Sequence, residues 1–174
     1  MATAIRPTYT MIARVATVLV LGVTVLPFTP QIVAAARHYG FHPHLPDLSL
    51  FVRQPLQIQM HVAAAITAFA IGSVILMRPK GVGLHKALGW SWVIAMGATA
   101  ISSFFITSFT SHFSPIHLIS GWTVVALPMA VFAIRRRNVQ AHRRGMTGLF
   151  VGGLLLAGLL TFIPGRLMYM LFFG

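Results

Sequence analysis

Acidic side chains are almost missing from this sequence: Asp47 alone stands against thirteen lysines and arginines. Paired carboxylates for acid–base hydrolysis are therefore excluded, as are carboxylate cages for hard cations. Cysteine is absent, which removes disulfides, thiolate metal ligands and redox dithiols. Charged residues of both signs make up only 8% of the chain, against about 25% in a soluble globular domain. No Gly-rich phosphate loop, nucleophile elbow or paired metalloprotease histidine motif occurs.

What remains is apolar: 57% of residues are hydrophobic and the mean hydropathy is +0.83. Five long apolar runs fall at about 15–36, 60–77, 87–109, 115–134 and 145–164. Each approaches the ~20 residues that cross a bilayer as a helix. The pattern predicts an all-α integral membrane protein, with a single domain over 1–174 and five transmembrane helices. Short links after the second run make helices two to five an antiparallel four-helix bundle. The one long connection, 37–59, is expected as an outer loop. The first run also has the flanks of a secretory signal, with Arg6 and Arg14 ahead of it and Ala34–Ala36 behind. Its length favours a retained helix, bent at Pro27 and Pro30.

Net charge is +12, which in a soluble protein would suggest nucleic acid. Here the basic residues cluster between apolar runs, where they meet anionic headgroups, so the partner is the lipid bilayer and no nucleic acid is expected. Ten of the thirteen fall on one side of the predicted topology: Arg6, Arg14, Arg78, Lys80, Lys86, Arg135, Arg136, Arg137, Arg143 and Arg144. That bias predicts a multi-pass protein of the bacterial inner membrane, N-terminus cytoplasmic and C-terminus periplasmic.

Eight histidines in so apolar a chain call for explanation. His61, His85, His117 and His142 stand near the entry ends of the second, third, fourth and fifth helices. With alternating helix direction, His61 and His117 fall near the outer face, and His85 and His142 near the cytoplasmic face. Two imidazole pairs at two depths would suit one or two b-type haems. Ala65, Gly89 and Gly121 lie one turn beyond His61, His85 and His117, and Gly145 lies three residues beyond His142. Missing side chains there would admit a flat ring, although membrane helices use Gly and Ala widely for packing. For each histidine singly, an interfacial ring with its tip in the headgroups competes with ligation.

The stretches Met60-His61-Val62-Ala63-Ala64, Lys80-Gly81 with His85 and Gly89, Ser114-Pro115-Ile116-His117 and His142-Arg143-Arg144-Gly145-Met146 carry a likeness over about Pro55 to Met168. In them the sequence resembles a bacterial family of small predicted membrane proteins with a domain of unknown function. A more distant likeness is to the transmembrane cytochromes b that move electrons from ascorbate to ferric iron. It rests on four histidine-bearing helices and on Lys86-Ala87-Leu88-Gly89-Trp90 after His85. That resemblance implies His61 with His117 on an outer haem and His85 with His142 on an inner one. The intervals between histidines are shorter here, and no ascorbate-binding signature stands out.

Further candidates are Arg53 and Arg166, placed to pair with haem propionates or a quinone headgroup, or to snorkel to lipid phosphate. His38, His42, His44 and Asp47 have the chemistry of a zinc or copper site, but the prolines among them favour a solvated loop. Ser102, Ser103, Thr107, Ser108, Thr110 and Ser111 make the end of the third helix unusually hydroxylated, suited to bonds across helices. Trp90 and Trp122 read as interfacial aromatics. Two functions follow. One is a b-type haem protein moving electrons between a quinol or small reductant and an acceptor across the membrane, a possible oxidoreductase. The other is a non-catalytic accessory or scaffold subunit, bound to other membrane subunits or to lipid.

Overall fold

The structure, a computed structural model, describes residues 26, 29–38, 42–81, 83–106 and 116–174. Arg6, Arg14, most of the first predicted span, residues 107–109 and the Ser114-Pro115 helix start lie outside these residues. Among the described residues every regular element is helical.

In chain order the helices are α1 (Thr29–His38), α2 (Leu48–Val52), α3 (Leu56–Met77), α4 (Gly83–Ser103), α5 (Ile116–Arg135), α6 (Val139–Leu160) and α7 (Leu167–Phe173). The middle of α6, Leu149–Leu156, is wound as a π-helix. Among the described residues, three helical stretches are long and apolar enough to cross a membrane: Leu56–Met77, His117–Arg135 and Val139–Leu160. Helix α4 is not one of them. Its first turns carry His85 and Lys86 and its last carries Ser102 and Ser103, which dilute an apolar centre.

Boundaries moved for local reasons. Helix α3 starts four residues before the expected 60, where the Pro55 carbonyl accepts from the Ile58 and Gln59 amides. The Gln59 side-chain amide donates to the carbonyls of Val52 and Gln54 and ties α2 to this start. Helix α4 ends at Ser103 because the chain passes into i→i−3 turns through Phe104, Phe105 and Ile106. Helix α6 begins at Val139, capped by the Asn138 side chain, which accepts from Ala141 N–H at 3.0 Å. His142, Arg143 and Arg144 are therefore helical and not part of a loop.

Between α5 and α6 the chain reverses in three residues. Asn138 N–H donates to Ala133 O and Arg137 N–H to Ile134 O, the bonds of a Schellman cap. The left-handed residue of that cap is Arg137, at φ 58°, where glycine would be unstrained. The expected outer loop is also more ordered than a coil. Asp47 caps α2 by accepting from Ser49 N–H at 2.9 Å. The amides of His42, His44 and Asp47 donate to the carbonyls of Phe173, Phe172 and Leu171. This strap satisfies carbonyls that the end of α7 leaves without helical partners.

Helix α3 packs along α4, α4 on α5, α5 on α6, and the π-helical stretch of α6 returns to α3. The core they enclose is built from Ala68, Trp92, Met96, Leu127, Leu149, Phe150 and Leu154. Gly72 is the tightest point. A Cβ there would stand 2.6 Å from the Phe150 ring and 2.7 Å from Trp92 Nε1. The small-residue stripe Ala68–Gly72 thus lets three helices converge. Gly145 does the same between α6 and α5, 2.8 Å from the Ala130 methyl.

Candidate functional site

Polar side chains gather at the two ends of this packed middle, and the two gatherings differ. At one end, the start of α3, the end of α4 and the start of α5 meet. The Ser102 hydroxyl donates to Ala98 O at 2.6 Å, so its oxygen is left to accept from His61 Nδ1–H at 3.0 Å. Ser103 and Ser120 share an O–H···O bond of 2.6 Å between α4 and α5. His117, Ser120, Thr123 and Thr99 are all buried here. The His117 ring lies 6.1 Å from that of Phe104. His61 and His117 therefore both approach the end of α4, the first at Ser102 and the second at Phe104. The expected bonding of Ser102 and Ser103 across helices is met. Thr107, Ser108, Thr110 and Ser111 lie outside the described residues.

The other end is cationic. His142 is half-buried on α6, and its Nδ1–H donates to Ala130 O of α5 at 2.9 Å. A backbone carbonyl only accepts, so this bond fixes the proton on Nδ1 of the neutral ring and leaves the Nε2 lone pair unused. His85 is half-buried near the start of α4, close to His142 and to the Lys80 ammonium. The Lys80 ammonium turns back and donates to Leu76 O at 2.8 Å, on the last turn of α3. Arg78, Lys86, Arg135, Arg136, Arg137, Arg143 and Arg144 are exposed around this end.

The glycines placed beyond the histidines divide. A Cβ built at Gly89 or Gly121 meets no described atom within 4 Å, so both leave room beside their helix. Gly145 leaves none, because Ala130 occupies the notch. That part of the expected cradle is closed by helix packing.

Arg53 ends α2 and is exposed. Arg166 is the residue before α7 and is half-buried, and burial pulls its pKa below the ordinary arginine value. The loop set His38, His42, His44 and Asp47 is not gathered into a centre. Among the described residues no group of three or more His, Cys, Asp or Glu side chains is placed to hold a metal ion. His44 is instead engaged with backbone, its Nδ1 2.7 Å from Leu45 O and its Nε2 3.0 Å from Gly174 O. Trp90 is exposed, as expected of an interfacial aromatic, and so is Trp122. Trp92 is buried, and its indole N–H has no partner among the described residues.

Two features escaped the sequence reading. Thr123 is almost fully buried, with its hydroxyl against Gly153; a lone threonine in an apolar run gives no signal of that depth. The strap from His42 to Asp47 depends on α7, whose apolar run Leu167–Phe173 was visible after Pro164-Gly165.

The sequence profile of the predicted membrane protein family DUF2306 matches residues 58–172, a stretch that holds His61, His85, His117 and His142. The chain belongs to that family. No curated protein and no solved structure matches it. The likeness to ascorbate-dependent cytochromes b finds no support in these comparisons.

Proposed function

We propose that this DUF2306 member is an electron-carrying b-type haem protein of the bacterial inner membrane. Helices α3 to α6 would form an antiparallel four-helix bundle preceded by a fifth span. His61 with His117, and His85 with His142, would hold one or two haems between diagonal helices. The observation that carries this reading is the hydrogen bonding of His142 and His61. Each gives its Nδ1 proton to a neighbouring helix, to Ala130 O and Ser102 Oγ. A neutral imidazole held that way presents Nε2 as a fixed lone-pair donor, the preparation expected of a metal ligand. The open sides of Gly89 and Gly121, one turn beyond His85 and His117, also favour a planar group.

Haem, when bound, would supply one-electron chemistry at its iron. The chain would hold and orient it. Met96, Leu149 and Phe150 keep water from the middle of the bundle. Arg53 and Arg166 are the cations available to propionates or to a quinol headgroup at the hydroxyl end. The topology that goes with this reading puts the basic end in the cytoplasm and the C-terminus in the periplasm.

The visible spectrum tests it. The protein, purified in mild detergent after expression with haem supplied, should be red, show a Soret band and sharpen on dithionite. A colourless preparation ends the reading. His117→Ala should remove the outer haem selectively, while equal loss of both haems contradicts the pairing. A second reading, a non-catalytic scaffold subunit, is favoured by the glycine notches at positions 72 and 145, which protein side chains fill. Co-purification of a stable partner with a colourless protein would support it.

A further inference from the structure

The basic end contains a cavity of which the haem reading uses only His85. At the corner where α3 passes into α4, a cavity of about 240 Å³ is lined by Ile75, Arg78, Pro79, Leu84, His85 and Leu88. Its lining is ordered by chemistry. Arg78 and His85 stand at the two helix ends, while Ile75 and Leu88 each lie three residues further into their helices, toward the apolar middle. The site therefore runs from a cationic mouth to a hydrocarbon wall.

No carboxylate of this chain can neutralise that mouth. The sole acidic residue is Asp47, which caps α2. Helix α2 is tied through Gln59 to the start of α3. Arg78 follows the last residue of the same 22-residue helix, about 33 Å away at 1.5 Å rise per residue. Lys80 is folded back onto Leu76 O and adds its charge to the same corner. The first turn of α4, with its positive dipole end, contributes Leu84 and His85 to this corner. An anion must come from outside the chain, and the apolar wall asks that it carry a hydrocarbon tail.

We propose that the α3–α4 corner is a binding site for the phosphate headgroup of an anionic phospholipid, with Arg78 as its main contact and an acyl chain along Ile75 and Leu88. Lysine- and arginine-rich pockets between membrane helices attract such headgroups. Arg78 differs from Arg135–Arg137 in standing at a cavity whose wall includes Ile75, Leu84 and Leu88.

The test uses the full chain in detergent, stripped of lipid, titrated with dioleoyl phosphatidylglycerol, dioleoyl phosphatidylcholine or inorganic phosphate. Native mass spectrometry counts the bound molecules. Phosphatidylglycerol should bind in preference to phosphatidylcholine. Arg78→Gln should weaken it about fivefold, the worth of one basic residue beside an anionic headgroup. Arg136→Gln, which removes the same charge outside the cavity, should leave it unchanged, and Arg78→Lys should restore most of the binding. Equal losses in Arg78→Gln and Arg136→Gln would overturn the proposal in favour of general surface charge. Equal binding of the two lipids would overturn it as well. Full competition by inorganic phosphate would make the site one for free phosphate. None of these readouts depends on haem, so the two proposals fail separately.

Discussion

The two ends of the helix assembly hold the same side chain in opposite company. At the hydroxyl end, His61 and His117 sit among Thr99, Ser102, Ser103, Ser120 and Thr123, and the His61–Ser102 and Ser103–Ser120 bonds run from helix to helix. At the basic end, His85 and His142 sit among lysines and arginines with no acidic residue to balance them. Bonds between helices engage the polar groups at the first end, whereas the charges at the second must be met from outside. A neutral network rigidifies the helices that share it, whereas an uncompensated cationic surface seeks headgroups or solutes. The packed layer of Trp92, Met96, Leu149 and Phe150 keeps the two regimes apart.

Removing that partition should have the largest effect. Gly72→Leu would drive a side chain into Phe150 and Trp92 and cost about 3 kcal/mol by overpacking. Thermal unfolding in detergent should show it as a large drop, while Gly158→Ala, where no atom lies within 4 Å, should barely shift the melt. Equal effects would mean that the middle is not the close-packed layer described.

At the basic end, Arg137→Gly should raise stability by about 1 kcal/mol by relieving a left-handed backbone. An unchanged melting temperature would argue against the strained turn at φ 58°. At the hydroxyl end, Ser103→Ala and Ser120→Ala should be coupled by about 0.6 kcal/mol in a double-mutant cycle, the mean for bonds between membrane helices. Additive losses would remove the claim that bonds between helices engage this end.

The smallest effect concerns pH. Hydrogen bonds from Ser49 hold the Asp47 carboxyl below its ordinary pKa. A depressed folded value means that the cap contributes above the unfolded pKa and is lost as pH falls through the folded one. Wild type should therefore melt slightly higher than Asp47→Ala at pH 7, with the gap closing under strongly acidic conditions. A gap that persists there would separate the cap from the charge.

Helices α3 and α5 were legible because long apolar runs state themselves, and their far ends agree with the expected 77 and 134 within a residue. Helix α4 was shifted because apolarity alone set its predicted limits. The structure carries the helix back over Gly83–Lys86 and stops it where the chain turns after Ser103. The start of α6 was legible in principle, since Asn138 before Val139 has the chemistry of a cap; the arginines beside it drew attention to charge instead. The strap over α7 was not legible, because backbone amides 124 to 131 residues away from their acceptors leave no trace in composition. At the site, residue types could be read from the sequence, and so could the helix membership of His61 and His117, while His85 and His142 fell just outside the expected helix limits. The ring tautomers could not be read, because they depend on Ala130 O and on where the Ser102 proton goes.

The π-wound stretch Leu149–Leu156 has a consequence for how the last long helix faces its neighbours. Each residue of an ordinary α-helix turns the chain by about 100°, so a wider turn resets the azimuth of everything after it. Before the reset, Gly145 nests on α5; within it, Phe150 wedges against Gly72 of α3. Deleting a single residue there would restore even winding and swing the Leu160 half away from its present partners. The helix thus behaves as two short rods joined by a phase shifter.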